Sequence, residues 1–195
     1  MDLTKINDIL AEAYQDCEYP VCLHQTREWG RTRPFEGLTV LDATPIFRNT
    51  LAKHRALIAA GARLLVGRSA MLPGSDDIVA LLRESGIKVV DSGEEQSETA
   101  DVVLDCGAAF IHWRPRLGFV ELTRTGVPRY AGSQKPVFVA DGGRIKKIET
   151  CLGTGESFFR AMRQLGYADW KGKKLVIFGS GKVGSGLLAY ARAYG

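Results

Sequence analysis

Short unbroken runs of Val, Ile and Leu alternate, from residue 38 to residue 141, with longer stretches whose apolar residues recur every three or four positions. The runs LTVLDA (38–43), RLLVG (63–67), IKVVD (87–91), DVVLDCG (101–107) and PVFVAD (136–141) predict strands, and GFVELTRTG (118–126) holds another. They are apolar throughout rather than alternately apolar and polar, the pattern of parallel strands buried on both faces. PIFRNTLAKHRALIAAG (45–61) predicts a helix, with Pro45 in its first turn and Gly61 just past its end. Leu51, His54, Leu57 and Ile58 lie along one face of it. GSDDIVALLRESG (74–86) predicts a second, with Ser75 as N-cap, Asp76 and Asp77 in the first turn and Gly86 as terminator. Elements in this order predict a doubly wound parallel α/β sheet.

The flanks follow other patterns. Leu3, Ile6, Ile9, Leu10 and Ala13 have helical spacing, so residues 3–16 predict a helix. Residues 17–37 carry Pro20, Gly30, Pro34 and Gly37 and read as irregular, with a short helical piece around HQTREWG. SGEEQSETA (92–100) reads as polar and exposed, and GTGESFFRAMRQLG (153–166) as a helix. After a turn at YADWKGKK, KLVIF (174–178) reads as a strand opening a new βα unit. The expected organisation is a helical and irregular lead-in (1–37), an α/β domain (38–150), and a hinge helix with the start of a further α/β domain (151–195).

Composition narrows the function classes. The chain has 195 residues, 45% hydrophobic and 25% charged, an ordinary globular balance. Its net charge of +4 is dispersed among 22 acidic residues, so no stripe for nucleic acid is expected. Cys17, Cys22, Cys106 and Cys151 lack zinc spacing, so no metal site is expected. The start is amphipathic and acidic, unlike a signal peptide. No apolar run approaches the ~20 residues of a membrane span. The plain expectation is a cytoplasmic protein.

The strongest motif is Gly179-Ser180-Gly181-Lys182-Val183-Gly184, a G-x-G-x-x-G at a helix start. The first glycine allows the tight turn, the second lets a pyrophosphate reach the backbone, and the third allows close packing. The helix N-terminus offers free N–H groups and a positive dipole end to the phosphates. The acidic residue that completes the fingerprint falls about 20 residues further on, past Gly195. Other candidates sit where ligands of open α/β sheets bind, at the carboxyl ends of strands. They are Asp105 and Cys106, with Glu121, Thr123 and Thr125 near another strand end. A buried Cys at the Cys106 position is more often core packing. Gly153-Thr154-Gly155-Glu156-Ser157 reads as a ligand loop, a hinge or a helix cap, and Lys146, Lys147 and Glu149 before it as site residues or a solvated linker. His24, His54 and His112 lack ligand spacing, and His54 reads as structural.

Several stretches together resemble the adenosylhomocysteinase family. TREWGRTRPFEGLTV is similar to the family's segment leading into its first strand, and VVLDCGA to its Leu-Asp-Asp-Gly-Gly. GFVELTRTGV resembles its Gly-x-x-Glu-Glu-Thr-Thr-Thr-Gly-Val, and IETCLGTGESFFRAM the run leading into its NAD domain. VIFGSGKVGSG is similar to Val-x-Gly-Tyr-Gly-x-x-Gly-Lys-Gly. The resemblance implies a substrate domain joined to a Rossmann NAD domain, and an enzyme that transiently oxidises a ribose 3′-hydroxyl. It implies NAD as cofactor, a nucleoside-type substrate, a homo-oligomer at full length, and a chain truncated within its NAD domain. With that domain incomplete, weak or no NAD affinity is expected of these 195 residues.

Departures from the family pattern are concentrated at acid–base positions. The family's substrate-loop histidine falls on Pro45 and its glutamate there on Asn49. The second aspartate of Asp-Asp-Gly-Gly becomes Cys106, and the second glutamate of Glu-Glu becomes Leu122. The family's lysine falls on Ile145, with Lys146 beside it; its aspartate becomes Glu149 and its asparagine Thr150. Lys146, Glu149, Asp105, Cys106 and Glu121 are therefore the expected catalytic side, and Gly179, Gly181, Gly184, Thr123, Thr125 and Thr150 the cofactor side. The expected function is an NAD-binding enzyme acting on a nucleoside or thioether. Two alternatives stay open: a catalytically silent NAD-binding regulatory paralogue, and ordinary S-adenosylhomocysteine hydrolysis in one-carbon metabolism.

Overall fold

The computed structural model of the protein describes residues 2–94, 96 and 98–194. It divides into two units, Met1–Val139 and Ala140–Gly195. In the first unit all six expected runs form strands: β1 (Thr39–Asp42), β2 (Arg63–Arg68), β3 (Lys88–Asp91), β4 (Val102–Asp105), β5 (Gly118–Glu121) and β6 (Val137–Val139). Every pairing is parallel, in the order β3-β2-β1-β4-β5-β6. The chain thus winds outward from β1 in one direction and from β4 in the other. Right-handed crossovers then place the two sets of connections on opposite faces. One core cluster gathers Val40, Leu64 and Val66 with Ile6, Leu10, Leu51 and Leu82. The other gathers Leu41, Leu65 and Val103 with Phe110, Trp113 and Tyr130.

The helices of this unit are α1 (Thr4–Ala13), α2 (Pro20–Thr32), α3 (Thr50–Ala59) and α4 (Asp76–Glu84). Three expectations change here. Residues 17–37 are mostly helical, because Pro20 sits in the first turn of α2, where its missing N–H costs nothing. Gly30 is tolerated inside α2, which ends at Thr32 and is capped by Arg33, the residue before Pro34. Next, α3 starts at Thr50 rather than at Pro45. Ile46 is drawn into a parallel bridge with Gly74, and the Thr50 hydroxyl donates to the Pro45 carbonyl at 2.8 Å. Finally, Ser75 makes no side-chain bond to the backbone of α4; its hydroxyl donates to the Asp77 carboxylate instead.

The 92–100 stretch is less exposed than expected. Glu98 accepts from Arg63 at 2.6 Å and from Lys88 at 2.7 Å, and Ala100 is buried. Glu95 and Ser97 lie outside the described residues.

In the second unit α5 (Arg144–Ile148), a wide π-type turn (Glu149–Gly153) and α6 (Thr154–Gln164) follow one another without a break. α7 (Lys182–Tyr194) begins after the glycine turn. Residues 174–178 carry no strand assignment, although their apolar run predicts one. A strand exists only through the ladder it pairs with, and among the described residues of this unit there is none. Phe159 centres the packing, with its ring 5.0 Å from those of Trp170 and Tyr194. Gly186 lies against Cys151 so closely that a Cβ there would overlap the Cys151 carbonyl oxygen, and a Cβ on Gly155 would stand 2.5 Å from the Gly186 carbonyl oxygen. Gly155 and Gly186 therefore bring helix backbones together, a role that the loop, hinge and cap readings of GTGES did not include.

Candidate functional site

β4 and β5 end side by side on Asp105 and Glu121, which are register partners and fully buried. Glu121 accepts four hydrogen bonds. Oε1 takes the Gly107 amide at 2.9 Å, the Thr123 amide at 2.8 Å and the Thr123 hydroxyl at 2.7 Å. Oε2 takes the Ala108 amide at 2.9 Å. Gly107 and Ala108 both have positive φ, 66° and 54°, a conformation that is strained for alanine. Consecutive amides in such a turn form a concave anion site, and here the protein's own carboxylate fills it. Gly126 leaves room for that carboxylate, since a Cβ there would overlap it.

Asp105 is engaged in the same way. Oδ1 accepts the Cys106 amide at 2.8 Å, while Oδ2 accepts the Phe110 amide at 3.0 Å and the Tyr130 hydroxyl at 2.5 Å. Burial pushes its carboxyl up, only partly offset by these bonds, and the Glu121 charge adds to the rise. Burial and the Asp105 bond push the Tyr130 phenol up in turn. Cys106 is buried beside them, and Thr125 donates to the Thr123 hydroxyl at 3.2 Å. Asp105, Cys106, Glu121, Thr123 and Thr125 are thus gathered into one network around the turn at 106–110. Either carboxylate would have to leave that network before it could exchange a proton with a ligand.

Sequence reasoning missed a second cluster at the end of β1. Asp42 is fully buried and meets the Lys53 ammonium at 2.9 Å through Oδ1 and at 2.7 Å through Oδ2. His54 Nε2 stands 3.1 Å from Oδ2, and the Thr44 hydroxyl donates to Oδ1 at 2.8 Å. Lys53 also donates to that hydroxyl at 2.5 Å. Burial pushes the Asp42 carboxyl up, but the Lys53 charge and then His54 outweigh it and hold the group well below the usual carboxylate range. The strand-end rule that singled out Asp105 applies equally to Asp42, so the signal was present. His54 matches its structural reading, with its ring buried against Asp42. A cavity of about 310 Å³ opens beside this cluster, lined by Thr44, Ile46, Arg68, Ser69, Asp76 and Asp91. Arg68 Nε donates to Asp91 at 2.6 Å there.

The remaining candidates belong to the second unit. Lys146 Nζ lies 2.8 Å from Glu149 Oε2, which also accepts the Thr150 hydroxyl at 2.8 Å. Burial raises the Glu149 carboxyl, but its bonds to Lys146 and Thr150 outweigh this and leave it lowered. In the glycine turn the three glycines have three different reasons. Gly179 has a φ of 108°, Gly181 has nothing within 4 Å of where a Cβ would be, and a Cβ on Gly184 would overlap the Gly179 carbonyl oxygen. A bend, an open face and a close contact are what a pyrophosphate-binding turn requires, so these residues fit NAD.

No protein-family model matches the chain. It is 27% identical to an adenosylhomocysteinase of Pyrococcus abyssi over 204 residues, covering 90% of this chain and 48% of that protein. It is 28% identical to an adenosylhomocysteinase of Archaeoglobus fulgidus, covering 91% and 51%. It is also 27% identical to an S-inosyl-L-homocysteine hydrolase of Methanococcus maripaludis, covering 90% and 49%. The chain is a divergent relative of the adenosylhomocysteinases. It spans about half the length of the curated relatives it matches.

The departures from the adenosylhomocysteinase pattern now have places. Pro45 lies in the turn before α3, and Cys106 is buried in the Asp105 network. Ile145, at the position of the family's lysine, is 83% exposed, while Lys146 beside it makes the ion pair with Glu149. Among the described residues no helix is long and apolar enough to cross a membrane.

Proposed function

We propose that the chain is the substrate-side part of an adenosylhomocysteinase-like enzyme that transiently oxidises the ribose 3′-hydroxyl of a nucleoside or thioether. The observation that carries this reading is its similarity, over about nine-tenths of the chain, to curated hydrolases of adenosyl- and inosylhomocysteine. In this proposal residues 1–37 are a lead-in, 38–150 the substrate-type domain and 151–195 the opening of the NAD domain. NAD, when bound, supplies a reversible hydride acceptor. Gly179, Gly181 and Gly184 hold its pyrophosphate, with Thr123, Thr125 and Thr150 assigned to the cofactor side. Lys146 Nζ holds the proton exchanged with the sugar hydroxyl, and Glu149 is its counter-ion. Asp105, Cys106 and Glu121 act by fixing the 106–110 turn rather than by proton transfer. Full-length assembly as a homo-oligomer belongs to the same proposal.

A second reading is a catalytically silent, NAD-binding regulatory paralogue. It is favoured by Pro45, Leu122 and Ile145 at acid–base positions and by the enclosure of Asp105 and Glu121. The two readings separate when candidate nucleosides and their homocysteine thioethers are added to NAD-loaded protein expressed from its complete gene. The enzyme reading predicts a rise in reduced-nicotinamide absorbance, and release of free thiol where the substrate is a thioether. Bound NAD with no spectral change for any nucleoside would favour the silent paralogue.

A further inference from the structure

Lys182 is the first residue of α7, inside the glycine turn. Its ammonium donates twice to Asp141, to Oδ1 at 2.7 Å and to the main-chain carbonyl at 3.1 Å. The two side chains are 24% and 14% exposed, so water screens the pair only in part. A cation in the first turn of a helix opposes the helix dipole. Asp141 offsets that by adding the negative charge the dipole favours. The Lys182 charge also reaches Glu149, after the larger contributions of burial, Lys146 and Thr150. The charges therefore alternate in sign: Asp141, Lys182, Glu149, Lys146. None of the sequence motifs pointed to Asp141.

An ammonium has three donors, and two of those on Lys182 go to Asp141. The turn it belongs to is open at Gly181 and presents the end of a helix dipole, which attracts phosphate. We infer that Lys182 is a phosphate-contacting residue of this turn and that Asp141 is an internal anion competing with the phosphate for it. The ligand class is the pyrophosphate of a dinucleotide, so the inference rests on the NAD reading above. With Asp141 charged, Lys182 adds little net charge to the site. Without it, a full positive charge faces the phosphate, worth about fivefold in affinity for unit charges roughly 4 Å apart in water-like surroundings.

The test is a titration of the isotope-labelled 195-residue chain with inorganic pyrophosphate, following the amide resonances of Gly181, Lys182 and Val183. Saturable shifts are expected in the parent. Asp141→Asn should tighten binding about fivefold and Lys182→Met should weaken it to a similar degree. The double variant, which carries neither charge, should bind about as the parent does. Circular dichroism of each variant checks that α7 is retained. Equal affinities in parent and variants would overturn the roles of Lys182 and Asp141 while leaving the turn a phosphate site. No saturable shift in either the parent or Asp141→Asn would overturn the turn as a phosphate site.

Discussion

Glu121→Ala is expected to destabilise the first unit by at least about 2 kcal/mol, since each buried donor left without a partner costs about 1–3 kcal/mol. Two backbone amides, those of Ala108 and Thr123, would lose their acceptor at once, and the Gly107 amide would keep only the Thr123 hydroxyl at 3.0 Å. The side chain is fully buried, so water cannot replace it without opening the turn. Ala108 would lose the carboxylate that compensates its positive φ. A typical domain is stable by about 5–15 kcal/mol, so the loss should be visible as a lower urea midpoint. Hydrogen exchange at Gly107 and Ala108 should accelerate together. Gly126→Ala attacks the same contact from the other side and should move the same amides. An unchanged midpoint in both variants would mean that Glu121 does not hold the turn.

Lys53→Met should cost about 3 kcal/mol, the lower end of the 3–5 kcal/mol expected when one partner of a buried pair is removed. The lower end applies because the Lys53 side chain is 35% exposed while Asp42 is fully buried. Asp42 carries the pH dependence. Its carboxyl titrates lower in the folded protein than in the unfolded chain. Its stabilisation is therefore fully present above the unfolded value of about 3.9 and is lost as the pH falls toward the folded value. Lys53→Met should shrink this acid-side loss, since the first of the offsetting attractions is gone. Asp105 shifts in the opposite direction, so the quantity to measure is the difference between parent and Asp42→Asn across the acid limb. Parallel acid limbs for these two proteins would contradict the account of Asp42.

Much of this fold was legible because the strands are apolar without interruption. β1 to β3 and α4 stand close to where LTVLDA, RLLVG, IKVVD and GSDDIVALLRESG place them. Burial on both faces leaves a strand few other sequences, and Gly86 marks a helix end through its positive φ. The errors came from partners distant in sequence. Pro45 reads as a helix start until Ile46 is seen bridging Gly74. KLVIF reads as a strand, but a strand also needs a neighbour. The site was legible in part for the same reason. Strand ends picked out Asp105 and Glu121, and glycine spacing picked out the turn. That Glu121 turns inward depends on Gly107, Ala108 and Gly126, and that Asp105 does depends on Cys106, Phe110 and Tyr130, residues that no spacing rule connects to them. Asp42 with Lys53, and Asp141 with Lys182, are pairs separated along the chain and joined only by folding.

Hydride transfer is the central claim, and it has a direct measurement. Candidate nucleosides carrying deuterium at C3′ are incubated with NAD-loaded protein expressed from its complete gene, and the nicotinamide is analysed by mass spectrometry. The account predicts deuterium on the reduced nicotinamide for at least one nucleoside, and its loss in Lys146→Met without loss of bound NAD. No deuterium on the nicotinamide for any nucleoside in rapidly quenched samples, with NAD bound throughout, would contradict it.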